Sequence, residues 1–256
     1  MSLDPHFTIA PNGDAALDIR FAAQPGEQLS ESIIALAESI ESAALPAVTE
    51  LVPAYQCLTV CFDPLQLPDS GTGRPDTSEL EQALAVLARG PAVRQPAPPR
   101  ERYLIRIPVC YDAAFAPDMQ ALSAHSGLTP DDIISRHTAP QYLVHMLGFT
   151  PGFLYLGGLD TRLHCPRKAR PALNVPAGSV GIGGTQTGIY PQATPGGWQI
   201  IGRTPLALFQ PERDFPFVAR PLDRIQFVAI SAEEFQHTEP GCAPQKTPLA
   251  DTEAKQ

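Results

Sequence analysis

From Leu17 to Phe21 apolar and polar residues alternate as Leu-Asp-Ile-Arg-Phe, the period-two pattern of a strand with one buried face, after a short extended segment around Phe7 to Ile9. Past Pro25-Gly26 the period lengthens. Ile33, Ile34, Leu36, Ala37 and Ile40 recur at helical spacing, with Ser30 placed to cap this helix and Pro46 to stop it. Val48 to Val52 and Gln56 to Phe62 are β-type runs separated only by Pro53-Ala54-Tyr55, which predicts a hairpin. Ser78 with Glu81 reads as a capping box, the stripe Leu80, Leu84, Leu87 as a second amphipathic helix, and Gly90 as its stop. Strand, helix, strand, strand, helix is the order of a ferredoxin-like domain. The alternating run Tyr103 to Val109 could close that domain or open a second one.

Pro91 to Arg102, with its prolines and arginines, reads as a stiff linker. Two short helices follow, Asp118 to Ser126 ending at Gly127, and one begun by Thr129-Pro130-Asp131-Asp132 that runs to about Thr138. The pattern then changes. Between Tyr142 and Pro205 glycine and proline are too dense for any helix, since each costs roughly 1 and 3 kcal/mol against alanine in a helix interior. Strands joined by tight turns are predicted there, with further strands at Leu206 to Phe209 and Arg224 to Ile230, in the spacing of a closed or sandwiched sheet. Thr238 to Gln256 has almost no large apolar residue and is predicted to be disordered. The chain therefore reads as α+β: a small α/β domain over 1–100 with a Pro-rich linker at its end, a β domain over 101–237, and a tail over 238–256.

A length of 256 residues with 43% hydrophobic content suffices for buried cores in two domains. The formal charge of -9 argues against a nucleic-acid or anionic-membrane surface, because either would need clustered Lys and Arg. No apolar run approaches the ~20 residues that span a bilayer and the amino terminus lacks a signal pattern, so a soluble cytoplasmic chain is expected. Five scattered cysteines without a CxxC pair fit a reducing compartment. They read as buried structural thiols, Cys57 and Cys61 sharing one face of a strand. The six histidines form no zinc motif, and no metal is expected. Gly181 to Gly184 lacks the Gly-Lys-Ser/Thr and helix of a phosphate loop. Ser179 lacks a nucleophile elbow, and the adjacent His164 and Cys165 would point to opposite faces of a strand.

Six side chains remain as candidates. His145 enters the glycine-rich stretch and could serve as base or orienting donor, or simply as a core or rim histidine. Arg167-Lys168-Ala169-Arg170 lies between two prolines, which suits either carboxylate and phosphate recognition by Arg167 or a solvated charged loop. Gln186, Tyr190, Trp198 and Arg203 stand beside predicted turns, where they would line a cleft or plug the end of a barrel.

The same residues carry a resemblance. Gly-Phe-Thr-Pro-Gly-Phe-Leu-Tyr-Leu-Gly-Gly-Leu (148 to 159), Val-Pro-Ala-Gly-Ser-Val-Gly-Ile-Gly-Gly (175 to 184), Gln-Thr-Gly-Ile-Tyr-Pro (186 to 191) and Pro-Gly-Gly-Trp-Gln-Ile-Ile-Gly-Arg-Thr-Pro (195 to 205) resemble the family of 5-oxoprolinase B subunits. That family is also called allophanate hydrolase subunit 1 and includes the kinase A inhibitor KipI. The resemblance implies a cyclophilin-like β-barrel after the small α/β domain. It further implies a component of an ATP-dependent 5-oxoprolinase that works with a C subunit of related barrel fold and an A subunit to convert 5-oxo-L-proline to L-glutamate. Coupling to ATP is chemically sensible because an unstrained lactam is a poor electrophile. Arg167, Gln186, Tyr190, Trp198 and Arg203 then become the expected contacts with substrate or with a partner subunit, while His145 departs from the family pattern. Inhibition of a sensor histidine kinase and hydrolysis of a urea-derived amide are the alternative functions the resemblance implies.

Overall fold

In the computed structural model, which describes residues 6–71, 73–94 and 101–249, the chain divides into two units, 1–100 and 101–256. The first is built on β1 (Phe7–Pro11), β2 (Ala16–Phe21), α1 (Glu27–Ala43), β3 (Val48–Pro53), β4 (Cys57–Phe62), α2 (Ser78–Ala88) and a short α3 (Pro91–Arg94). The strands form one antiparallel sheet in the order β1-β2-β4-β3. Alternation sends Leu17, Ile19, Phe21, Leu58, Val60 and Phe62 to one face. There they meet Leu29, Ile33, Leu36 and Ile40 of α1 and Leu80 and Leu84 of α2.

The ferredoxin-like order is present, with one change. The edge beside β2 is taken by β1 through a tight hairpin, and Tyr103 to Val109 belongs to the second unit. Three local readings are corrected as well. α1 starts one turn early at Glu27 with Gly26 as N-cap, because Ser30 lies on the buried face and its N–H already bonds Gly26. The Ser78 and Glu81 capping box does not form: Thr77 is the N-cap and makes no side-chain bond to the helix amides, and its hydroxyl donates to the Glu81 carboxylate at 2.6 Å. Pro91–Arg94 is helical and not linker: Val93 is buried in this core and its carbonyl accepts from Ser32 Oγ at 3.0 Å. Residues 95–100 lie outside the described ones. Cys57 and Cys61 do share a face, but it is the half-exposed face opposite Leu58 and Val60. Cys110 and Cys165 are buried and Cys242 is exposed.

The second unit runs β5 (Tyr103–Cys110), α4 (Met119–Ser126), α5 (Pro130–Thr138), β6 (Tyr142–Leu147), β7 (Leu154–Gly157), β8 (Ala172–Val175), β9 (Ser179–Gly183), β10 (Gln186–Ile189), β11 (Thr194–Gly196), β12 (Gln199–Arg203), β13 (Arg224–Ile230), α6 (Ala232–His237) and β14 (Gln245–Pro248). Strands β12-β9-β10-β7-β6-β13-β5 close into a barrel through the pair Arg203 and Cys110. Its interior holds Ile105, Ile107, Val144, Leu156, Ile182 and Phe227, with Leu122 of α4 and Ile133 of α5. Leu206 to Phe209 is not a strand. Prolines 205 and 211 flank it, and its Ala207 N–H goes to the Pro240 carbonyl, leaving a single bridge between Phe209 and Phe217.

Residues 238–249 of the tail are ordered, against expectation, and 250–256 lie outside the described residues. The barrel closes on β5 only at Cys110, so the edge of Tyr103 to Arg106 is left open. Pro248 to Gln245 pair with it antiparallel. Backbone hydrogen bonds hold this strand, which is why a polar, fully exposed sequence can form it. Ahead of it, Ser231 and Glu234 form a capping box for α6.

One polar chain threads the barrel core. His137, fully buried, accepts from Tyr111 Oη at Nδ1 (2.8 Å), donates from Nε2 to Thr187 Oγ1 (2.8 Å), and stacks on Phe227 at 4.4 Å. The tautomer follows from Thr187, whose hydroxyl proton is committed to the Gly181 carbonyl at 3.1 Å. Burial drives the imidazole pKa from 6.5 down to about 3. The native state therefore keeps His137 neutral while the unfolded chain protonates it below about pH 6.5. Stability should fall as pH drops from about 6 to 4, by up to about 1.4 kcal/mol per pH unit. Urea unfolding at several pH values measures this slope, and His137→Gln should flatten it.

Candidate functional site

The outer face of β9 and β10 has almost no side chains. Val180, Ile182, Thr187 and Ile189 point inward, so Gly181, Gly183 and Gly188 alternate outward, with Gly181 and Gly188 paired across the strands. None of the three has positive φ. Their requirement is space: a Cβ on Gly183 would lie 2.5 Å from the Trp198 ring, and one on Gly188 would lie 3.0 Å from it. Gly196 likewise admits the Tyr190 hydroxyl, which would stand 2.6 Å from a Cβ. The glycines read as turn formers are thus partly a bed for the sole tryptophan. Gly184, with φ of +66°, is the one that makes the β9 to β10 turn.

On this bed Phe153, Tyr190 and Trp198 meet edge to face, with centroids 5.4 Å apart for Phe153 and Tyr190, and 5.5 Å for Phe153 and Trp198. Tyr155 flanks Phe153 at 4.8 Å and Phe149 caps it at 5.7 Å. They enclose a pocket of about 270 Å³ with Arg167 at its mouth, its guanidinium carbon 5.9 Å from the Trp198 ring centroid. The loop bearing Arg167 is strapped down from both sides. Lys168 N–H donates to the Gly197 carbonyl at 2.7 Å, and its ammonium pairs with Asp118 at 2.5 Å. The same Asp118 carboxylate accepts from Ile200 N–H at 2.7 Å. Among the described residues no carboxylate pairs with Arg167. Of the basic cluster read from the sequence, then, Lys168 is structural and Arg167 faces the pocket. Burial pushes the phenol pKa values of Tyr155 and Tyr190 up, so both remain neutral donors at neutral pH.

The other candidates stand elsewhere. Arg203, at the end of β12, lines a separate cleft of about 510 Å³ with Phe115, Leu206 and Phe235. Gln186 opens β10 opposite Gly183 and lines neither cavity. His145 sits where β6 bulges against β7, its ring in the space a side chain at Gly157 would need; burial lowers its pKa, and it too lines neither cavity. Sequence reasoning missed Phe149, Phe153 and Tyr155 as pocket walls. The signal was available in the alternation of β7, where Leu154 and Leu156 face the core and Phe153 and Tyr155 do not. Among the described residues no three His, Cys, Asp or Glu side chains gather as a metal site, and no helix is long and apolar enough to cross a membrane. Neither cavity fits a nucleoside triphosphate, since each offers a single arginine and no helix amino terminus or glycine nest to meet several negative charges.

Sequence comparison assigns the chain to a class. The chain belongs to the carboxyltransferase domain family, subdomains C and D, whose model matches residues 7–219. Within that class it is 41% identical over 236 residues to the 5-oxoprolinase B subunit of Bacillus subtilis (strain 168), covering 90% of this chain and 95% of that protein. A solved protein designated TTHA0988 is 33% identical with a TM-score of 0.68 over 90% of this chain, which spans only 41% of its length. The Kluyveromyces lactis urea amidolyase shares the fold, with a TM-score of 0.79 at 16% identity over 97% of this chain and 16% of its own.

The glycine bed is testable through the single tryptophan. Gly183→Ala should displace the indole, red-shift its fluorescence and cost about 1 to 3 kcal/mol of stability in denaturant titration. Gly197→Ala serves as contrast. Gly197 has no positive φ, and a Cβ there meets Pro171 at an ordinary 3.7 Å, so both readouts should stay near wild type.

Proposed function

We propose that this chain is the cytoplasmic B subunit of an ATP-dependent 5-oxoprolinase and that the aromatic pocket holds the substrate. The observation that carries this reading is Arg167, a cation without an acid partner among the described residues, poised over Trp198 at the mouth of an aromatic cavity. 5-Oxo-L-proline is a flat lactam bearing one carboxylate. Its ring would lie against the Trp198, Tyr190 and Phe153 faces and its carboxylate would accept from Arg167, while a neutral tyrosine hydroxyl would donate to the lactam oxygen. The volume of about 270 Å³ suits so small a ligand.

The same pocket explains why a partner is needed. Its ionisable side chains are Arg167, Tyr155 and Tyr190, none of which is a base near neutral pH, so this surface binds and orients but has nothing to activate water. We place that chemistry, and the ATP, on the C and A subunits that the resemblance implies, and this chain alone is then inactive. The similarity to a named B subunit over nearly its whole length supports the reading.

Glutamate release from 5-oxoproline and ATP should appear only when this chain is combined with its A and C subunits. If no combination releases glutamate, the reading fails. In the assembled complex Arg167→Gln should raise the KM for 5-oxoproline about tenfold, near 1.4 kcal/mol, with thermal stability unchanged.

A further inference from the structure

The match to the family ends at residue 219, yet the Arg203 cleft has a wall made by residues beyond it. Phe235 of α6 packs against Phe115 with centroids 4.4 Å apart and the rings tilted by 37°. Pro240 accepts from Ala207 N–H at 2.8 Å, and Gly241 accepts from Arg213 Nη2 at 2.7 Å. Strand β14 then ties the end of this segment to β5. The cavity so enclosed, about 510 Å³, is larger than the aromatic pocket and shares no residue with it.

Arg203 is half-buried in this cleft. Its Nε–H donates to the Ala177 carbonyl at 2.8 Å, which fixes the plane of the guanidinium and leaves the terminal Nη1 and Nη2 groups for a ligand. No carboxylate among the lining residues neutralises it, in a chain of net charge -9. Two terminal N–H donors held in one plane match the two oxygens of a carboxylate. A single cation balances a single negative charge, which disfavours a phosphate dianion. The Phe115, Phe235 and Leu206 faces favour an apolar body over a second polar group.

We propose that the Arg203 cleft is a second ligand site, separate from the aromatic pocket, that takes a small monocarboxylate with an apolar or aromatic body. The carboxylate sits on Arg203 and the body lies against Phe115 and Phe235. The proposal does not depend on the 5-oxoprolinase reading.

The test is a titration of the full-length, nitrogen-15-labelled chain with phenylacetate, acetate and inorganic phosphate, followed by amide shifts. Phenylacetate should saturate and move the Gly178, Ala207 and Gln236 signals, acetate should bind at least tenfold more weakly, and phosphate should not displace phenylacetate. Arg203→Gln should weaken phenylacetate at least tenfold, Phe235→Ala should weaken it with Arg203 intact, and Arg167→Gln should leave it unchanged. Because Arg203 also supports the Ala177 turn, the Phe235→Ala arm keeps the test decisive if Arg203→Gln folds poorly. Failure of phenylacetate to saturate, equal affinity in Phe235→Ala, displacement by phosphate, or shifts confined to the Trp198 pocket would overturn the proposal.

Discussion

The contact between the Trp198 side chain, its Cβ included, and three side-chain-free positions of the barrel wall is the constraint on which the site depends. Three glycines in strands cost together about 2 kcal/mol in backbone entropy. Burying an indole contributes about 4 to 6 kcal/mol, so the exchange is favourable once the ring is seated. Everything functional on this face follows from that seating. Phe153 and Tyr190 find perpendicular partners in the ring, and the chain around Gly197 comes close enough for its carbonyl to take the Lys168 N–H. Arg167 is thereby held over the aromatic surface. A methyl group at Gly183 would undo the arrangement from underneath, without touching any residue that a ligand meets except the indole itself.

Much of the fold was legible because it obeys local rules. The alternations of β2, β4 and β5, the glycine stop of α4 and the capped start of α5 are written in consecutive residues, and the strands and helices lie where those patterns put them. What escaped is decided between distant segments. Whether β1 or Tyr103 to Val109 takes the open edge beside β2 is a competition, and the hairpin wins it with the shorter loop. β14 escaped because its stability comes from the unpaired backbone of β5, which its own polar composition does not announce. Gly181, Gly183 and Gly188 were legible as unusual and misread as turns. Need for positive φ and need for space give the same letter in a sequence, and only the groups packed above them, the Trp198 side chain foremost, separate the two.

The candidate residues divide for the same reason. Arg167, Tyr190 and Trp198 lie far apart in the chain, yet they share one cavity because β9, β10 and β12 are neighbours on the outer face. Arg203 follows Trp198 closely along β12 and lines a different cavity, at the end of its strand where the barrel closes. His145 stood out by position in the chain, but the bulge of β6 turns it onto Gly157 and away from both cavities. Proximity in sequence was a poor guide here, and strand register a good one.

The barrel interior offers no alternative site. Aliphatic and aromatic side chains fill it, and its one polar chain, Tyr111 to His137 to Thr187, is satisfied at every step. Chemistry is therefore confined to the outer surface, where water competes with every hydrogen bond a ligand makes. Within this chain the aromatic pocket is open to solvent at its mouth, and at its rim Phe149 is 64% exposed with a φ of +66°, a conformation that costs about 1 kcal/mol or more in a bulky residue. An exposed aromatic ring held in a strained backbone gains nothing for the isolated chain. It gains if a second surface closes over the rim, buries the ring and excludes water from the ion pair proposed between Arg167 and a bound carboxylate, which would strengthen as the local dielectric falls. On the function proposed above, the strain at Phe149 belongs to the same account as the missing base: both are what a site completed by a second subunit would carry.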